Sequence, residues 1–318
     1  MLKSNQAGES GCVSVLIPLY NHAAYVEQCL DSVLAQGPEN IELLLIDDGS
    51  SDNGFEVASR WKERHGASFK RIVFEQQMNA GITKTFDRLI RKSTGEYLAI
   101  VASDDVLTSG SIADRLVVLQ EPGVLGVFGD AIPVDMDGNV IGKSAIGELG
   151  NPASRNALSD PRTIHWELIF RWNVYGSVML ARREALINTD GKSVLNLEIF
   201  SEDMQLYYSL GSAGALRYLD KPVALYRIHP ASASHSTTNL PKLQRNIYQS
   251  RKHARLGMPF ARRCVVGLQA FTYHRWNESA VVRIVALPFV VGAYGALLGA
   301  RVFYDWYRRK SLGQSENA

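Results

Sequence analysis

Two pairs of aspartates, each closing an apolar run, constrain this chain more than any other feature. The first ends Ile41-Glu42-Leu43-Leu44-Leu45-Ile46-Asp47-Asp48-Gly49-Ser50, and the second ends Tyr97-Leu98-Ala99-Ile100-Val101-Ala102-Ser103-Asp104-Asp105. Apolar runs of this length, bounded by Gly and Ser, read as buried parallel strands. An open parallel sheet binds ligands in the crevice beyond the carboxyl ends of its strands. Carboxylate pairs aimed into that crevice suit a hydroxyl-rich ligand and a hard divalent cation. Magnesium and manganese are usually held by one or two carboxylates together with substrate phosphates.

The rest of the first half supports such a sheet. Val13–Ile17 reads as the first strand, ended by Pro18, and 23–36 as a helix with Val26, Leu30, Val33 and Leu34 on one face. Strand 41–46 follows, then a helix capped by Asp52 and running through Arg64. Strand 71–75, the amphipathic helix Ile82–Lys92 and strand 96–102 complete a βαβαβαβ series, which implies parallel strands joined by right-handed crossovers. The pattern changes after 125–128. Residues 134–141 read as a hairpin turning at Asp137-Gly138, and 143–162, without periodicity, as a mobile surface loop. Helices near 163–172 and 202–210 then flank a strand at 177–181, and strands near 216–219 and 223–226 close this part.

The chain has 318 residues, enough for one large α/β domain and an extension. Its net charge of +2 hides an asymmetry. Residues 1–220 carry 19 Lys+Arg against 29 Asp+Glu; residues 221–318 carry 15 against 3. That split points to two bodies with different partners. The three cysteines, Cys12, Cys29 and Cys264, lack metal-ligand spacing and fit a reducing compartment. Residues 1–11 contain no apolar core of a secretory signal, so none is expected.

Four stations carry the chemistry. They are Ile17-Pro18-Leu19-Tyr20-Asn21; Asp47-Asp48-Gly49-Ser50-Ser51-Asp52; Asn79-Ala80-Gly81 with Ser103-Asp104-Asp105; and Ser201-Glu202-Asp203 with Tyr226-Arg227-Ile228-His229. In this order and spacing they resemble the family 2 glycosyltransferases, which have the GT-A fold, over residues 13 to about 235. An Asp-Asp pair alone is common, and the specificity lies in the ordered set.

Physical reading and resemblance agree on a sugar-nucleotide site. Tyr20 can lie against a base, whose imide N–H the Asp48 carboxylate can accept. Asp104 can accept hydrogen bonds from ribose hydroxyls. The resemblance implies that Asp105 holds the metal, Mg2+ or Mn2+, with His229 as a further ligand and Arg227 on the diphosphate. It excludes Ser103 as a metal ligand. Pro18, Tyr20, Asn21, Asp48, Gly81, Lys84, Ser103, Asp104 and Arg227 are thus the expected nucleotide-sugar residues. Lys84 reads equally as a solvated helix residue, and His229 also as a polar surface residue. Asp203 matches the family's Glu-Asp motif and is the implied general base of an inverting transfer, with Glu202 beside it. As plain structure, the same pair reads as acids complementing a helix dipole. Trp166 and Trp172 read as helix packing or as rings lining the pocket of Tyr175-Gly176-Ser177.

The processive members of the family carry Gln-any-any-Arg-Trp after the Glu-Asp pair. Here His274-Arg275-Trp276 stands far too late, which points to single addition. Residues 242–276 are basic and read as helical; Ile284–Ala300 are 17 uncharged residues containing Pro288 and three glycines, followed by Arg308-Arg309-Lys310. A segment dipping into the bilayer, one short span and a buried soluble helix all fit. Basic residues beside an apolar helix suit an anionic cytoplasmic leaflet, whereas no nucleic-acid motif accompanies the charge.

The expected architecture is therefore an α/β GT-A catalytic domain over 1–235, with a nucleotide-sugar half at about 12–130 and an acceptor half at about 131–235, and a helical basic extension over 236–318. The expected activity is metal-dependent, inverting glycosyl transfer from a UDP- or dTDP-sugar to a lipid-linked or surface-glycan hydroxyl, at the cytoplasmic side of the inner membrane. A non-catalytic sugar-nucleotide-binding or assembly module is the rival reading. A nucleotidyltransferase or a dehydrogenase would need a Gly-rich phosphate loop after the first strand, and Pro18-Leu19-Tyr20-Asn21-His22 is not one.

Overall fold

The computed structural model describes residues 8–150, 152–174, 176–198, 202–230, 249, 264–266 and 295–306. Four parallel strands form its first half: β1 (Glu9–Leu19), β2 (Ile41–Asp47), β3 (Arg71–Gln76) and β4 (Gly95–Ile100). Helices α1 (Val26–Leu34), α2 (Gly54–His65) and α3 (Ile82–Lys92) connect them. A two-residue strand β5 (Val106–Leu107) and helix α4 (Ser111–Val118) follow. The second half comprises β6 (Gly126–Val134), the short helices α5 (Ala145–Glu148) and α6 (Arg155–Ser159), α7 (Ile164–Phe170), β7 (Met179–Arg182), α8 (Glu202–Ser212) and β8 (Leu216–Arg227). Eight strands make one sheet in the order β3-β2-β1-β4-β7-β6-β8-β5. Strand β7 runs antiparallel to both neighbours, and β5 antiparallel to β8.

The apolar runs are buried on both faces, as continuous hydrophobicity requires. Side chains of β1 alternate: Val13, Val15, Ile17 and Leu19 pack with α1 and with Trp61 of α2, whereas Leu16 packs with Phe86, Leu89 and Ile90 of α3. One acid interrupts this core. Glu42 of β2 is fully buried, accepting from Thr94 N (2.7 Å), Thr94 Oγ1 (3.0 Å), Ser14 Oγ and Arg71 Nη1. Burial alone would raise its pKa, but these donors hold it below the ordinary carboxylate value.

Pro18 does not end the first strand. It pairs with Ile46 inside β1. Leu16 gives its carbonyl to Val101 N (3.1 Å) on the β4 side, and Pro18, two residues on, faces that side too. Pairing with β4 stops at Leu16, so the missing N–H of Pro18 costs no ladder bond. Helix α1 is shorter than expected, and α2 has Asn53 in the cap position; Asp52 accepts Gly54 N (3.0 Å) and Ala23 N (2.8 Å) instead.

Departures are larger in the second half. Residues 143–162 hold α5 and α6, not an unstructured loop, with Ser144 and Ser154 as side-chain caps and Ala145, Ile146, Ala157 and Leu158 buried. The amide of Asn173 secures α5 by donating to Ala145 O, Ile146 O and Leu149 O. The Asp137-Gly138 turn is present, closed by a single Val134–Val140 bridge. The two short closing strands are one strand, β8, whose register against β6 shifts at Asp130. Gly129 is required there, because a Cβ would stand 2.6 Å from Val223 Cγ1 and 2.8 Å from Lys221 O.

The C-terminal helix at 295–306 touches this half: Tyr304 donates to buried Glu167, and Arg171 pairs with Asp305 at 3.2 Å. Among the described residues no helix is long and apolar enough to cross a membrane. The expected boundary at 235, residues 284–294 and most of 242–276 lie outside the described residues.

Replacing Glu42 by Ala leaves Thr94 N and Ser14 Oγ without their acceptor and should lower unfolding free energy by about 2–3 kcal/mol, read from urea midpoints at pH 7. Glu42 has a folded pKa below its ordinary value of 4.5, so its contribution is complete above 4.5 and is lost as pH falls through the folded value. The gap between wild type and variant should therefore narrow on acidification below that window.

Candidate active site

The loops after β1, β2 and β4 meet at the carboxyl ends of the parallel strands. Asn21 has a left-handed backbone (φ 54°), which Asn tolerates better than most residues. Its Oδ1 accepts Ser51 N (2.8 Å) and Ser51 Oγ (3.1 Å), while its own N–H donates to Ser50 Oγ (2.9 Å). These bonds fasten the first station to the second. They leave Tyr20 49% exposed at the rim, with Pro18 buried in the strand below.

Asp48 is buried and accepts from Ala80 N (2.7 Å), Gly81 N (2.9 Å) and Gln77 Nε2 (2.8 Å). It therefore organises the loop that opens α3, where Gly81 adopts φ +90°. Gly49 lets that loop approach, since a Cβ there would meet Asn79 N at 2.9 Å. Lys84 lies exposed on α3.

The third and fourth stations meet because β5 pairs with β8, setting Val106 opposite Leu225. Asp104 and Asp105 then point to different places. Asp105 is buried; its Oδ1 accepts Arg227 N (3.0 Å), and Ser177 bonds its carboxyl too. Asp104 faces the crevice, with Oδ2 at 3.0 Å from His229 Nε2 and 3.7 Å from His22 Nε2. Ser103 Oγ stands 2.8 Å from His22 Nδ1. His22, Asp104 and His229 each offer one ligand atom, all within 4.8 Å of one another.

The electrostatics follow this division. Burial and the Asp104 charge push Asp105 upward. Burial would also raise Asp104, yet the His229 hydrogen bond and His22 hold it below the usual carboxylate range. Burial lowers His22, which keeps the imidazole neutral and its lone pair available. A cluster of two imidazoles and one carboxylate, at the crevice, suits a divalent cation.

Arg227 is 3% exposed. Nε donates to Asp104 O (2.9 Å), Nη1 to Met136 O (3.0 Å) and Asp135 O (3.3 Å), and Nη2 to Gln28 Oε1 (2.8 Å). Its guanidinium also lies 4.8 Å from the Tyr25 ring centre. Asp203 stands in the first turn of α8, half-buried, its Oδ1 accepting Met204 N at 2.6 Å. Burial pushes its pKa up to about 6, the Met204 bond opposing.

The model of the family described as glycosyl transferase family 2 matches residues 14–189, more than half of the chain. The chain belongs to glycosyltransferase family 2. Glycosyltransferase GlyG of Streptococcus pneumoniae is 32% identical over 131 residues, 41% of this chain and 42% of that one. An uncharacterized Nostoc glycosyltransferase, alr2836, is 27% identical over 221 residues, 69% of this chain and 66% of that one. This chain thus spans about two fifths of the one relative and just under two thirds of the other. Among solved structures, Staphylococcus aureus TarS with UDP-GlcNAc aligns at a TM-score of 0.61 and 17% identity, over 91% of this chain and 81% of that one. Mannosyltransferase PcManGT from Pyrobaculum calidifontis, with GDP-Man and Mn2+, aligns at 0.53 and 17%, over 93% and 82%. Glucosyl-3-phosphoglycerate synthase from Mycobacterium tuberculosis, with Mn2+, UDP and phosphoglyceric acid, aligns at 0.51 and 18%, over 79% and 80%. At these identities the likeness speaks for the fold, which is GT-A.

Within this family 2 site, several of the expected residues stand elsewhere than expected. The carboxylate presented to His229 is that of Asp104, not Asp105, because Asp105 is turned inward onto Arg227 N and Ser177. Arg227 spends four donor contacts on protein acceptors and does not present its fork to a diphosphate. Ser103 holds His22, and Asp48 holds the 77–81 loop. Trp172 packs edge-on to Tyr207 and Tyr208, and Trp166 stacks on Phe170, as helix packing requires. The side chain of Glu202 and residue 175 lie outside what is described. His22, Tyr25 and Gln28 were missed as site residues. Their signal was position alone, immediately after the first strand end.

The two aspartates should separate in stability measurements. Asp105→Ala strips acceptors from buried Arg227 N and Ser177 and should cost about 2–4 kcal/mol, whereas Asp104→Ala removes a charge facing the crevice and should cost under about 1 kcal/mol. Urea unfolding of both variants at pH 7 without metal checks the contrast.

Proposed function

We propose that this family 2 chain transfers a glycosyl group, with inversion, from a nucleoside-diphosphate sugar to a hydroxyl of a lipid-linked or surface-polysaccharide acceptor. The observation that carries the reading is the meeting of Asp104 and His229, 3.0 Å apart, at the carboxyl ends of the parallel strands. Support for the donor class comes from the UDP-GlcNAc, UDP and GDP-Man bound by proteins of the same fold. UDP- and dTDP-sugars are the expected donors. PcManGT and glucosyl-3-phosphoglycerate synthase, proteins of the same fold, also hold Mn2+.

Asp104 and His229 would hold a divalent metal, Mg2+ or Mn2+. Such an ion supplies charge neutralisation at a departing diphosphate. The protein's own residues do the rest. Tyr20, exposed at the rim, offers a ring face to a base. Asp48 fixes the loop beside it through the amides of Ala80 and Gly81. Asp203 would take the proton from the acceptor hydroxyl as its oxygen attacks the anomeric carbon from the face opposite the leaving group. A pKa of about 6 suits that task, because the group is then ionised at neutral pH yet basic enough to accept a proton.

The C-terminal helix presents Leu298, Val302, Phe303 and Trp306 to the outside, each at least half exposed, in a part of the chain with a large excess of basic residues. This supports peripheral attachment to an anionic membrane surface, and with it a site at the cytoplasmic side of the inner membrane.

Incubation of purified protein with UDP-, dTDP- and GDP-sugars, with and without Mn2+, tests the donor reading. Binding of one donor, weakened in Asp104→Ala, is expected; no binding of any donor with metal present overturns it. Asp203→Asn should lower turnover by about 10²–10⁴-fold with donor affinity retained. The acid limb of kcat/KM should fall with unit slope as pH drops below about 6, because the base becomes protonated through that value. A flat profile across pH 5–7 would remove Asp203 from that role.

A further inference from the structure

The loop after the first strand contributes a group that the sequence motifs leave unassigned. His22 lies between Ser103 and Asp104, with Nδ1 at 2.8 Å from Ser103 Oγ and Nε2 at 3.7 Å from Asp104 Oδ2. Its ring centre is 5.5 Å from that of His229, the planes nearly perpendicular at 83°. Both imidazoles thus direct an Nε2 atom at the same carboxylate oxygen.

We propose that His22 is a third protein ligand of the divalent ion, aimed by Ser103, so that the site offers two imidazoles and one carboxylate. The inference rests on the metal-dependent reading above. Metal-bound histidines almost always commit their other ring nitrogen to a neighbouring acceptor, which fixes the tautomer and orients the ring. Ser103 Oγ is that acceptor for His22: with the proton on Nδ1, the lone pair lies on Nε2, facing Asp104. Neighbouring ligand atoms around an ion at 2.0–2.1 Å stand about 3 Å apart. The spacings of 3.0 and 3.7 Å from Asp104 are close to this, and the two imidazole nitrogens, within 4.8 Å of each other, would draw together around the ion.

Two consequences follow from the donor set. Imidazole nitrogen favours first-row transition ions over magnesium, and affinity rises from Mn2+ to Co2+ in the usual order. His22 should therefore add much to Mn2+ and Co2+ binding and little to Mg2+. Its three donors also come from three strand ends, after β1, β4 and β8. An ion held by all three would tie the nucleotide-side loop to the closing segment.

The test is metal binding to the purified full chain, without donor, followed by Mn2+ electron paramagnetic resonance and by the visible spectrum of Co2+. His22→Ala should weaken Mn2+ and Co2+ by at least about 10-fold and Ser103→Ala by a smaller factor, with Mg2+ competition changed less than about threefold. Electron spin-echo modulation from nitrogen should drop from two imidazoles to one in His22→Ala. His22→Gln, which keeps a polar side chain at the site, guards against a folding artefact: the same loss in a variant with unchanged thermal unfolding supports the ligand role. Mn2+ affinity within twofold of wild type in both variants, or nitrogen modulation from one imidazole in the wild type, overturns the proposal while leaving metal dependence standing. A wild type that binds none of the three ions, either alone or with UDP added, overturns both.

Discussion

A guanidinium with almost no access to water holds the candidate site in one piece. Burying Arg227 is expensive unless its polar atoms are met, and here carbonyls of Asp104, Asp135 and Met136, with the Gln28 amide oxygen, accept from all three guanidinium nitrogens. The acceptors come from three separate stretches of chain, the turn after β4, the loop after β6 and helix α1, and the guanidinium itself is carried by β8. Their arrangement is therefore not adjustable one segment at a time. The backbone N–H of the same residue bonds Asp105, and this turns that carboxylate inward and leaves Asp104 to face the histidines. The choice of which aspartate meets the crevice is thus made by a residue that itself stays out of it.

This explains why the nucleotide half was readable and the exchange between Asp104 and Asp105 was not. Strands β1, β2 and β4 are continuous apolar runs because both faces are covered, a property local enough to appear in sequence. The ends of α3 were read to the residue for a similar reason: Gly81 before it and Ser93 after it break the helical backbone. Which of two adjacent aspartates points outward depends on pairing between β5 and β8, separated by more than a hundred residues. A two-residue strand gives no periodicity to read. Residues 143–162 failed for a related reason. Helices of four and five residues are not stable by propensity; α5 exists because Asn173 binds its carbonyls and because Asp130, fully buried, accepts Ser144 Oγ and Ile146 N.

The second half also shows how the extension engages the catalytic body. Glu167 of α7 is fully buried and accepts Ser154 N at 2.7 Å, which would otherwise be an unpaired amide at the start of α6. Tyr304 shares that carboxylate, and its ring stacks on Phe170 at 5.3 Å. Asp305, one of three acids in a segment of 15 basic residues, pairs with Arg171 at the C-terminal cap of α7. The charge split seen in sequence therefore does not mark two independent bodies throughout. At α7, one of the few acids of the basic part is spent on the acidic part.

That contact bears on how a membrane-bound acceptor would reach the chemistry. The helix at 295–306 uses Tyr304 and Asp305 inward, while Leu298, Val302, Phe303 and Trp306 look outward. Helix α7 in turn packs against α8, the helix whose first turn holds Asp203. A surface engaged by the outward face would stand two helices from the group proposed to deprotonate the acceptor, and both intervening packings are built on buried side chains. Rigid coupling of this kind fixes the depth at which an acceptor hydroxyl can be presented, because packed interiors transmit position and do not stretch. On the proposed attachment, membrane binding and catalysis would share one geometric constraint, set by Glu167 and its partners.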